Sequence, residues 1–347
     1  MKLGQATIKD IARELNLSAS TISRALKDYP GISDETKRRV KEIAEKMNYR
    51  PNAIALSLRK SRSFTIGVII PEVVHFFFST VISGVEEIAN SRGYNVILAQ
   101  TNEKLEREIS SIETMLSNQI DGVLVSYSKE TKSFEHFTKV LDQGFPIVFF
   151  DRAPAIPDAI NVMVDDYQGA FDATSHLILQ GYKNIVHLAG PKTLKISIDR
   201  ENGYKDALKR YGIEVNPAYI ITCPKGTMEE GRELVSELLA SHPEKPDAFF
   251  SCNDIGAVGA MMACRDAGMK IPEDVGVVGF SDWQFCAMLE PQLSSVSQPG
   301  FLMGARATEI LLDIIEKKLD PSTMEKTLVL ETKLMERDSS KKLSQKN

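Results

Sequence analysis

The chain has 347 residues and a net charge of −5, and 43% of its residues are hydrophobic and 26% charged. These values are typical of a folded protein of roughly two or three domains, and they exclude wholesale disorder and collagen-like repeats. No apolar run approaches the ~20 residues that span a bilayer, and the charged start lacks the apolar core of a secretory signal. The four cysteines form no CxxC pair, so we expect a cytoplasmic protein with reduced thiols, no metal and no other cofactor.

Charge is divided unevenly along the chain. Residues 1–63 hold 14 Lys and Arg against 7 Asp and Glu, a net charge of +7, while the remaining residues hold 28 against 40, a net charge of −12. A basic segment joined to an acidic one is typical of a module that binds a polyanion. The start of the chain therefore predicts a nucleic-acid-binding head in spite of the acidic total.

Three short helices are predicted in this head. Thr7 can cap a first helix, with Asp10 at the capping-box position, and Ser18 can cap a second. After a turn at residues 28–31, Ser33 can cap a third helix with an apolar stripe. Two short helices joined by a tight turn and followed by a packing helix are typical of a helix-turn-helix domain.

The second helix is the one that we expect to contact DNA. It begins S-A-S-T-I-S-R at residue 18, and its small, hydroxyl-bearing start lets the backbone approach the duplex. Arg24 is its one long donor able to reach a guanine edge or a phosphate. The alternative is a capped surface helix with an ordinary exposed arginine, but the basic three-helix setting favours DNA binding.

A basic linker follows at residues 51–63. Pro51 suits the start of a helix, but the helix-capable stretch is shorter than the ~12–15 residues that persist alone in water. The residues by themselves leave a plain tether as the alternative to a hinge helix.

A family resemblance becomes specific in the head and linker. It rests on T-I-K-D-I-A-R-E-L-N-L-S-A-S-T-I-S-R-A-L from residue 7 and on Y-R-P-N-A-I-A-L-S-L-R from residue 49, which resemble the LacI/GalR family of bacterial repressors. The resemblance continues to about residue 335. It implies that Ala19 and Ser20 read bases and that paired hinge helices insert Leu58 into the minor groove of the operator. The residues expected to contact DNA are Thr7, Ser18, Ala19, Ser20, Thr21, Ser23, Arg24, Asn52, Ala55, Ser57, Leu58 and Arg59.

The body predicts an α/β fold with parallel sheets. From residue 64 onward, apolar runs alternate with amphipathic helical patterns, the runs starting at residues 64, 95, 122, 146, 185, 219, 248 and 275. Continuous apolar strands between helices are typical of a sheet covered on both faces. Two such series in succession suggest two lobes, with a ligand between them at the carboxyl ends of the strands. The resemblance implies a periplasmic-binding-protein-like pair of lobes that the chain crosses three times.

The expected domain limits follow from these patterns. We expect a helix-turn-helix domain at residues 1–50, a hinge helix and linker at 51–63, a body at 64–338 and a frayed polar tail at 339–347. Within the body, the first lobe is expected at about 64–160 plus 294–321, and the second at about 161–293 plus 327–338.

Polar side chains that follow the apolar runs are the candidates for the cleft. Asp151, Asn253, Ser281 and Asp282 come directly after runs, and aromatic rings nearby in the predicted cleft could pack against a sugar. The resemblance adds Ser126 and an effector-binding arginine. The expected effector contacts are Phe77, Phe78, Ser126, Asp151, Arg200, Asn253, Ser281, Asp282 and Trp283.

Each of these candidates has a plainer interpretation. Phe77 and Phe78 could be core residues, Asp254 could cap a helix, and Asp151 could pair with Arg200 instead of binding a ligand. Ser281-Asp282 and the sequence H-F-F-F at residue 75 also depart from the common family pattern.

Three classes of function compete. The favoured one is a transcriptional regulator, a homodimer whose affinity for a pseudo-palindromic DNA operator is controlled by a small effector, by resemblance a sugar or sugar derivative. A solute-binding or sensory protein would explain the body alone but not the basic head. An enzyme is the third, but the sequence has no GxGxxG, Walker, GxSxG or HExxH motif.

Overall fold

The computed structural model describes residues 6–49, 62–241 and 245–342. Contacts divide the chain into two units, residues 1–63 and 64–347, which are described separately as the head and the body. Most of the expected hinge lies outside the described residues, including Asn52, Ala55, Ser57, Leu58 and Arg59.

The head consists of three helices, α1 (Ile8–Leu15), α2 (Ala19–Ala25) and α3 (Asp34–Lys46). Each begins at the predicted cap: Thr7, Ser18 and Ser33 accept hydrogen bonds from backbone N–H groups three residues later. The helices enclose a small core of fully or almost fully buried side chains, which are Ile11, Ile22, Ala25, Val40 and Ala44.

The first lobe of the body is built on a parallel six-stranded sheet in the order β11-β5-β4-β3-β1-β2. Its strands are β1 (Thr65–Ile70), β2 (Asn95–Gln100), β3 (Gly122–Val125), β4 (Ile147–Phe150), β5 (Ile160–Val164) and β11 (Thr327–Leu330). Its helices are α4 (Phe76–Ser91), α5 (Leu105–Ser117), α6 (Glu135–Leu141) and α11 (Gly300–Ile315). Apolar residues on both faces of the sheet are buried against these helices, as predicted for a doubly covered sheet.

The second lobe repeats the plan with the order β12-β10-β9-β8-β6-β7, in which only β12 is antiparallel to its neighbour. Its strands are β6 (Ile185–Ala189), β7 (Ile220–Thr222), β8 (Ala248–Ser251), β9 (Gly276–Ser281), β10 (Ser294–Ser297) and β12 (Lys333–Met335). Its helices are α7 (Asp166–Leu179), α8 (Lys195–Arg210), α9 (Met228–Ser241) and α10 (Asp254–Asp266). Short 3-10 turns lie at Pro217–Tyr219 and Gln284–Ala287.

The chain passes between the two sheets after β5, after β10 and after β11, three times within the described part of the body. The expected lobe limits were wrong at these passages. Residues 161–164 pair in the first sheet and not the second, 294–297 pair in the second sheet with β9, and 327–330 return to the first sheet beside β5. A short apolar strand has the same pattern in either sheet, so only its long-range partner decides its lobe.

The expected polar tail was also wrong at its first two residues. Ser339 and Ser340 are fully buried in the second lobe. The Ser339 hydroxyl donates to the carbonyl of Val277 at 2.6 Å, and the Ser340 hydroxyl lies 2.7 Å from that of Ser294 and 2.8 Å from Nε2 of His176. These buried bonds fix a segment whose polar composition alone predicts fraying.

Candidate functional site

The start of α2 presents a cluster of hydroxyl groups in the head. The Ser18 hydroxyl accepts from the backbone N–H of Thr21 at 3.1 Å and lies 2.8 Å from the hydroxyls of both Ser20 and Thr21. Ser18, Ala19 and Ser20 are exposed, while Thr21 and Ser23 are half-buried. The short, exposed side chains leave the backbone of this turn open to a large partner such as a duplex.

Arg24 projects from the last turn of α2 and is exposed. Its guanidinium lies 5.7 Å from the ring centre of Tyr29, whose backbone N–H donates to the carbonyl of Arg24 at 3.1 Å. The turn is fixed by Asp28, which has a left-handed backbone and binds Lys41 Nζ through both oxygens at 2.7 and 2.9 Å. Arg24 is thus held at a defined place with its hydrogen-bond donors free of any carboxylate among the described residues.

Thr7 has a structural task at the start of α1. Its hydroxyl accepts from the backbone N–H of Asp10 at 3.3 Å, and its own backbone N–H donates to the carboxylate of Asp10 at 2.9 Å, the reciprocal pattern of a capping box. The capping interpretation of Thr7 is therefore confirmed, and its expected DNA contact stays a prediction.

A cleft lies between the two lobes of the body, at the carboxyl ends of the strands. Its volume is about 160 Å³, which is enough for a small molecule, since a single water needs only ~10–15 Å³. The expected contacts that line it are Phe77, Phe78, Asp151, Arg200, Asn253, Ser281 and Trp283. Ser126 and Asp282 do not line it: Ser126 donates to Asp151 at 3.2 Å, and Asp282 forms an ion pair with Arg337 at 2.7 Å.

Three residues at the edge of the cleft have a left-handed backbone conformation, which residues other than glycine rarely adopt. They are Glu103 with φ of 59°, Asp151 with φ of 64° and Ser281 with φ of 110°. Such strain persists only where surrounding structure fixes it, and it is common at functional sites. At the ends of β4 and β9 it turns the side chains of Asp151 and Ser281 into the cleft.

Arg200 forms an ion pair with Asp166 and not with Asp151, so the suggested pairing across the cleft is wrong. Its Nε donates to Oδ1 of Asp166 at 2.8 Å, Nη2 lies 2.6 Å from the same oxygen in the ion pair, and Nη1 donates to the carbonyl of Cys252 at 2.5 Å. The guanidinium also lies 3.7 Å from the ring centre of Phe280. Burial raises the pKa of Asp166, and the attraction of Arg200 opposes that rise.

A second buried arginine, which the sequence analysis missed, lies beside Asp151. Arg152 binds both carboxylate oxygens of Glu103 at 2.8 and 2.9 Å and donates to the carbonyl of Tyr127 at 2.5 Å. Burial raises the pKa of Asp151, against the opposing charges of Arg152 and Arg200. The ion pair with Arg152 outweighs burial at Glu103 and lowers the pKa of that carboxyl. The sequence does show a charged residue, Arg152, directly after Asp151. Its partner Glu103 could not be identified from the sequence, because it lies 49 residues away.

Asn253, and not Asp254, caps helix α10. Asn253 Oδ1 caps α10 by accepting from the N–H of Gly256 at 2.7 Å, and its amide donates to the carbonyl of Gly226 at 3.0 Å. Asp254 is the first helical residue and accepts from Ser295 at 2.5 Å and from the N–H of Trp283 at 2.8 Å. The expectation that Asp254 caps the helix was therefore wrong, because Asn253 occupies the cap.

Two further groups in the cleft were not anticipated. Gln298, at the second passage between the lobes, accepts from the Ser281 hydroxyl at 2.8 Å, while its buried amide nitrogen has no hydrogen-bond partner in the part of the chain that the structure describes. Lys129 reaches from the first lobe to the second and donates to the carbonyl of Pro224 at 3.4 Å. Aromatic contact also joins the lobes, since the ring centres of His75 and Trp283 are 5.6 Å apart.

Within residues 6–49, 62–241 and 245–342, no cluster of metal-ligating side chains occurs. In the same ranges, no helix combines the length and hydrophobicity that a membrane span requires.

Two family models match the chain. One, described as periplasmic binding proteins and sugar binding domain of the LacI family, matches residues 63–334. The other, described as bacterial regulatory proteins of the lacI family, matches residues 7–52.

Individual relatives agree with these matches. Catabolite control protein A of Priestia megaterium is 34% identical over 321 residues, which are 92% of this chain and 95% of that protein. The structure of a transcriptional regulator CelR–cellobiose complex is 28% identical, with a TM-score of 0.72 over 96% of this chain and 100% of that one. A Lac repressor dimer bound to operator and an anti-inducer shares the fold, at 21% identity and a TM-score of 0.85 over 97% of this chain and 99% of that one.

Proposed function

Since the chain belongs to the LacI family of bacterial regulatory proteins, we propose that it represses transcription from an operator whose binding is controlled by a molecule held in the interlobe cleft. Family membership makes it a DNA-binding transcriptional regulator and not a solute-binding protein, because the helix-turn-helix model matches residues 7–52. The proposal includes no catalytic step, and it sets the action of the protein in the cytoplasm. The observation that carries it is the joining of a basic head to a two-lobed body with a lined cleft.

The head would bind the operator through α2. The hydroxyls at its start suit phosphate contacts, and Arg24 suits a base edge or a phosphate. Residues 51–63 would form the hinge, with Leu58 wedged between base steps. We expect Leu58→Ala to leave the protein folded while operator affinity and DNA bending are lost. Unchanged binding and bending by this variant would exclude the hinge role.

The body would bind a sugar or sugar derivative. Asp151 and Gln298 offer an acceptor and a donor for hydroxyl groups, and Phe77, Phe78 and Trp283 offer aromatic faces. The relative CelR was solved with cellobiose, which favours a carbohydrate over other metabolites. Binding would change the angle between the lobes through the three passages of the chain, and reciprocity requires that effector and operator alter each other's affinity equally.

The functional unit would be a homodimer, since a pseudo-palindromic operator needs two heads. Apolar side chains exposed on the first lobe could form such a contact, and they include Ile97, Leu98, Phe301 and Leu302. Sedimentation of the full chain measures the oligomeric state directly, and a monomer at working concentration would contradict this part of the proposal.

One experiment tests the function as a whole. DNA selected from a random pool would give an operator, and a thermal-shift screen of metabolites would give candidate effectors. Each hit is then tested for altered operator affinity at fixed salt, because phosphate contacts make affinity depend steeply on ionic strength. Hits that stabilise the protein and change operator affinity are expected. Binding to no DNA sequence in preference to others would refute the proposal.

A further inference from the structure

The arginines of the cleft each have a carboxylate of their own. Arg200 binds Asp166, and Arg152 binds Glu103 through both oxygens. All four side chains are at least 86% buried, so solvent and salt screen these charges little. Neither guanidinium therefore offers an uncompensated positive charge to a ligand.

Carboxyl groups outnumber the buried guanidinium groups in this region. Asp151 lines the cleft and has no close arginine partner, since Arg152 has its Nε 3.7 Å away and is bound to Glu103 through its other nitrogens. Asp254 also lines the cleft and accepts hydrogen bonds from Ser295 and from the N–H of Trp283. Lys129 and Lys225 also line the cleft, but Lys225 is exposed and Lys129 half-buried, so water and salt weaken their effect. An anionic group at the floor of the cleft would meet carboxyl groups, and the buried guanidinium groups beside them are already paired with carboxylates.

We propose that the cleft selects uncharged, hydroxyl-bearing effectors against phosphorylated or carboxylated ones, and that Asp166 is the positioning residue that sets this choice by neutralising Arg200. Arg200 donates two hydrogen bonds, to Asp166 and to Cys252, and its Nη2 lies 2.6 Å from the same Asp166 oxygen, so at least two of its five N–H groups are left for neutral ligand oxygens. The inference rests on the proposed effector site and gives its charge class.

Asp166→Asn is a sharp test because Nε and Nη2 of Arg200 both contact the same oxygen of Asp166, Oδ1. The amide oxygen of asparagine can take that place, so the position of Arg200 is kept while the neutralising charge is removed. Trp283 is the single tryptophan of the chain and lines the cleft, so its fluorescence reports binding there. Sulfate is the probe, since it keeps its charge from acid to neutral pH, and chloride at matched ionic strength is the reference.

We expect no saturable response of Trp283 to sulfate in the wild-type protein and a saturable one in Asp166→Asn. The sulfate affinity of the variant should exceed the upper limit set by the wild-type titration by about 10- to 100-fold, which corresponds to the free energy of hydrogen bonds to a charged group. Adding Arg200→Gln to this variant should abolish the response. Asp199→Asn is the matched control, because Asp199 neighbours Arg200 in sequence but pairs with Lys195 at 2.5 Å, and it should stay unresponsive.

Saturable sulfate binding at Trp283 in the wild-type protein would overturn the proposal, as would a folded Asp166→Asn protein that stays unresponsive. If that variant does not fold, the wild-type titration decides. The experiment uses no operator, so its failure is distinct from a failure of the DNA-binding function, which the selected operator tests separately.

Discussion

The head and the body hold their functional groups in opposite ways. In the head, Arg24 and the hydroxyls of α2 are exposed or half-buried, and the guanidinium of Arg24 lies near an aromatic ring and contacts no carboxylate of the described residues. In the cleft, Arg200, Arg152 and Asn253 are already bonded to protein partners. The head can therefore bind DNA with side chains that are free before binding. The cleft can bind an effector only through the few donors and acceptors that are not already hydrogen-bonded within the protein.

The difference also extends to stability. The core of the head has five buried side chains, and domains of this size are marginally stable. The body has two covered sheets with separate buried clusters on both faces. Truncation of a single core side chain should therefore unfold the whole head. In the body, the same truncation should lower stability without unfolding the lobes.

Arg200→Ala should have the largest effect and should act only on the body. It leaves Asp166 buried without its partner, which costs about 3–5 kcal/mol in the free energy of unfolding. Denaturant titration of Trp283 fluorescence measures this, and the effector response should be lost while operator binding persists. Arg232→Ala is the control, since its ion pair with Asp266 is about half exposed and should contribute about 0–1 kcal/mol. A normal effector response in Arg200→Ala would contradict the assignment.

Ile22→Ala should act only on the head. Ile22 is fully buried there, and such truncations cost about 2–5 kcal/mol, enough to unfold a small domain. Calorimetry should show the transition of the head lost and that of the body unmoved, with operator binding abolished. Ile198→Ala removes the same atoms from an exposed site of the second lobe and should change neither transition. A single transition that shifts as a whole would break the distinction between the units.

Arg24→Ala sharpens the comparison at the DNA surface. Loss of one donor to a base edge should reduce operator affinity by about 1–3 kcal/mol, without loss of folding. Fluorescence anisotropy with labelled operator at fixed salt measures the change. Arg13→Ala removes another exposed charge, from α1, and should affect specific binding less. Equal losses in both variants would indicate that only overall charge matters.

Between pH 8 and pH 5.5, the loss of stability that comes from protonating histidines should be confined to the body, because the five histidines all lie beyond residue 63. Burial lowers the pKa of His187 to about 4 from a usual 6.5, and its ring stacks between Tyr204 and Phe250. The unfolded chain then binds a proton that the folded state excludes, so stability is full above pH ~6.5 and falls as the pH drops below it. Between pH 8 and pH 5.5 this group should cost about 1.4 kcal/mol. Denaturant titrations of wild type and His187→Phe measure it, and an unchanged pH dependence in the variant would refute the role.

The sequence was informative wherever the signal is local. The three caps of the head and eight of the strands of the body lie where the residue pattern puts them. The lobe to which β10 and β11 belong could not be predicted, because strand pairing depends on partners far along the chain. The same dependence on distant partners limits what can be predicted of the cleft. Its polar residues could be placed after strands, but the pairing of Glu103 with Arg152, 49 residues away, and of Asp166 with Arg200, 34 residues away, could not be predicted. The unpartnered amide of Gln298 is visible only once the lobes are assembled.

The threading of the chain between the lobes has a consequence for synthesis. Helix α11 packs on α4 so closely that the carbonyl of Phe301 would lie 2.0 Å from a side chain added at Gly84, and the carbonyl of Val81 equally near one added at Gly304. On the ribosome, α4 emerges more than 200 residues before the helix that covers it. The nascent first lobe must therefore carry a bare apolar helix face until the second lobe has been made, and a message truncated near residue 298 would yield a chain that chaperones and proteases recognise as unfinished.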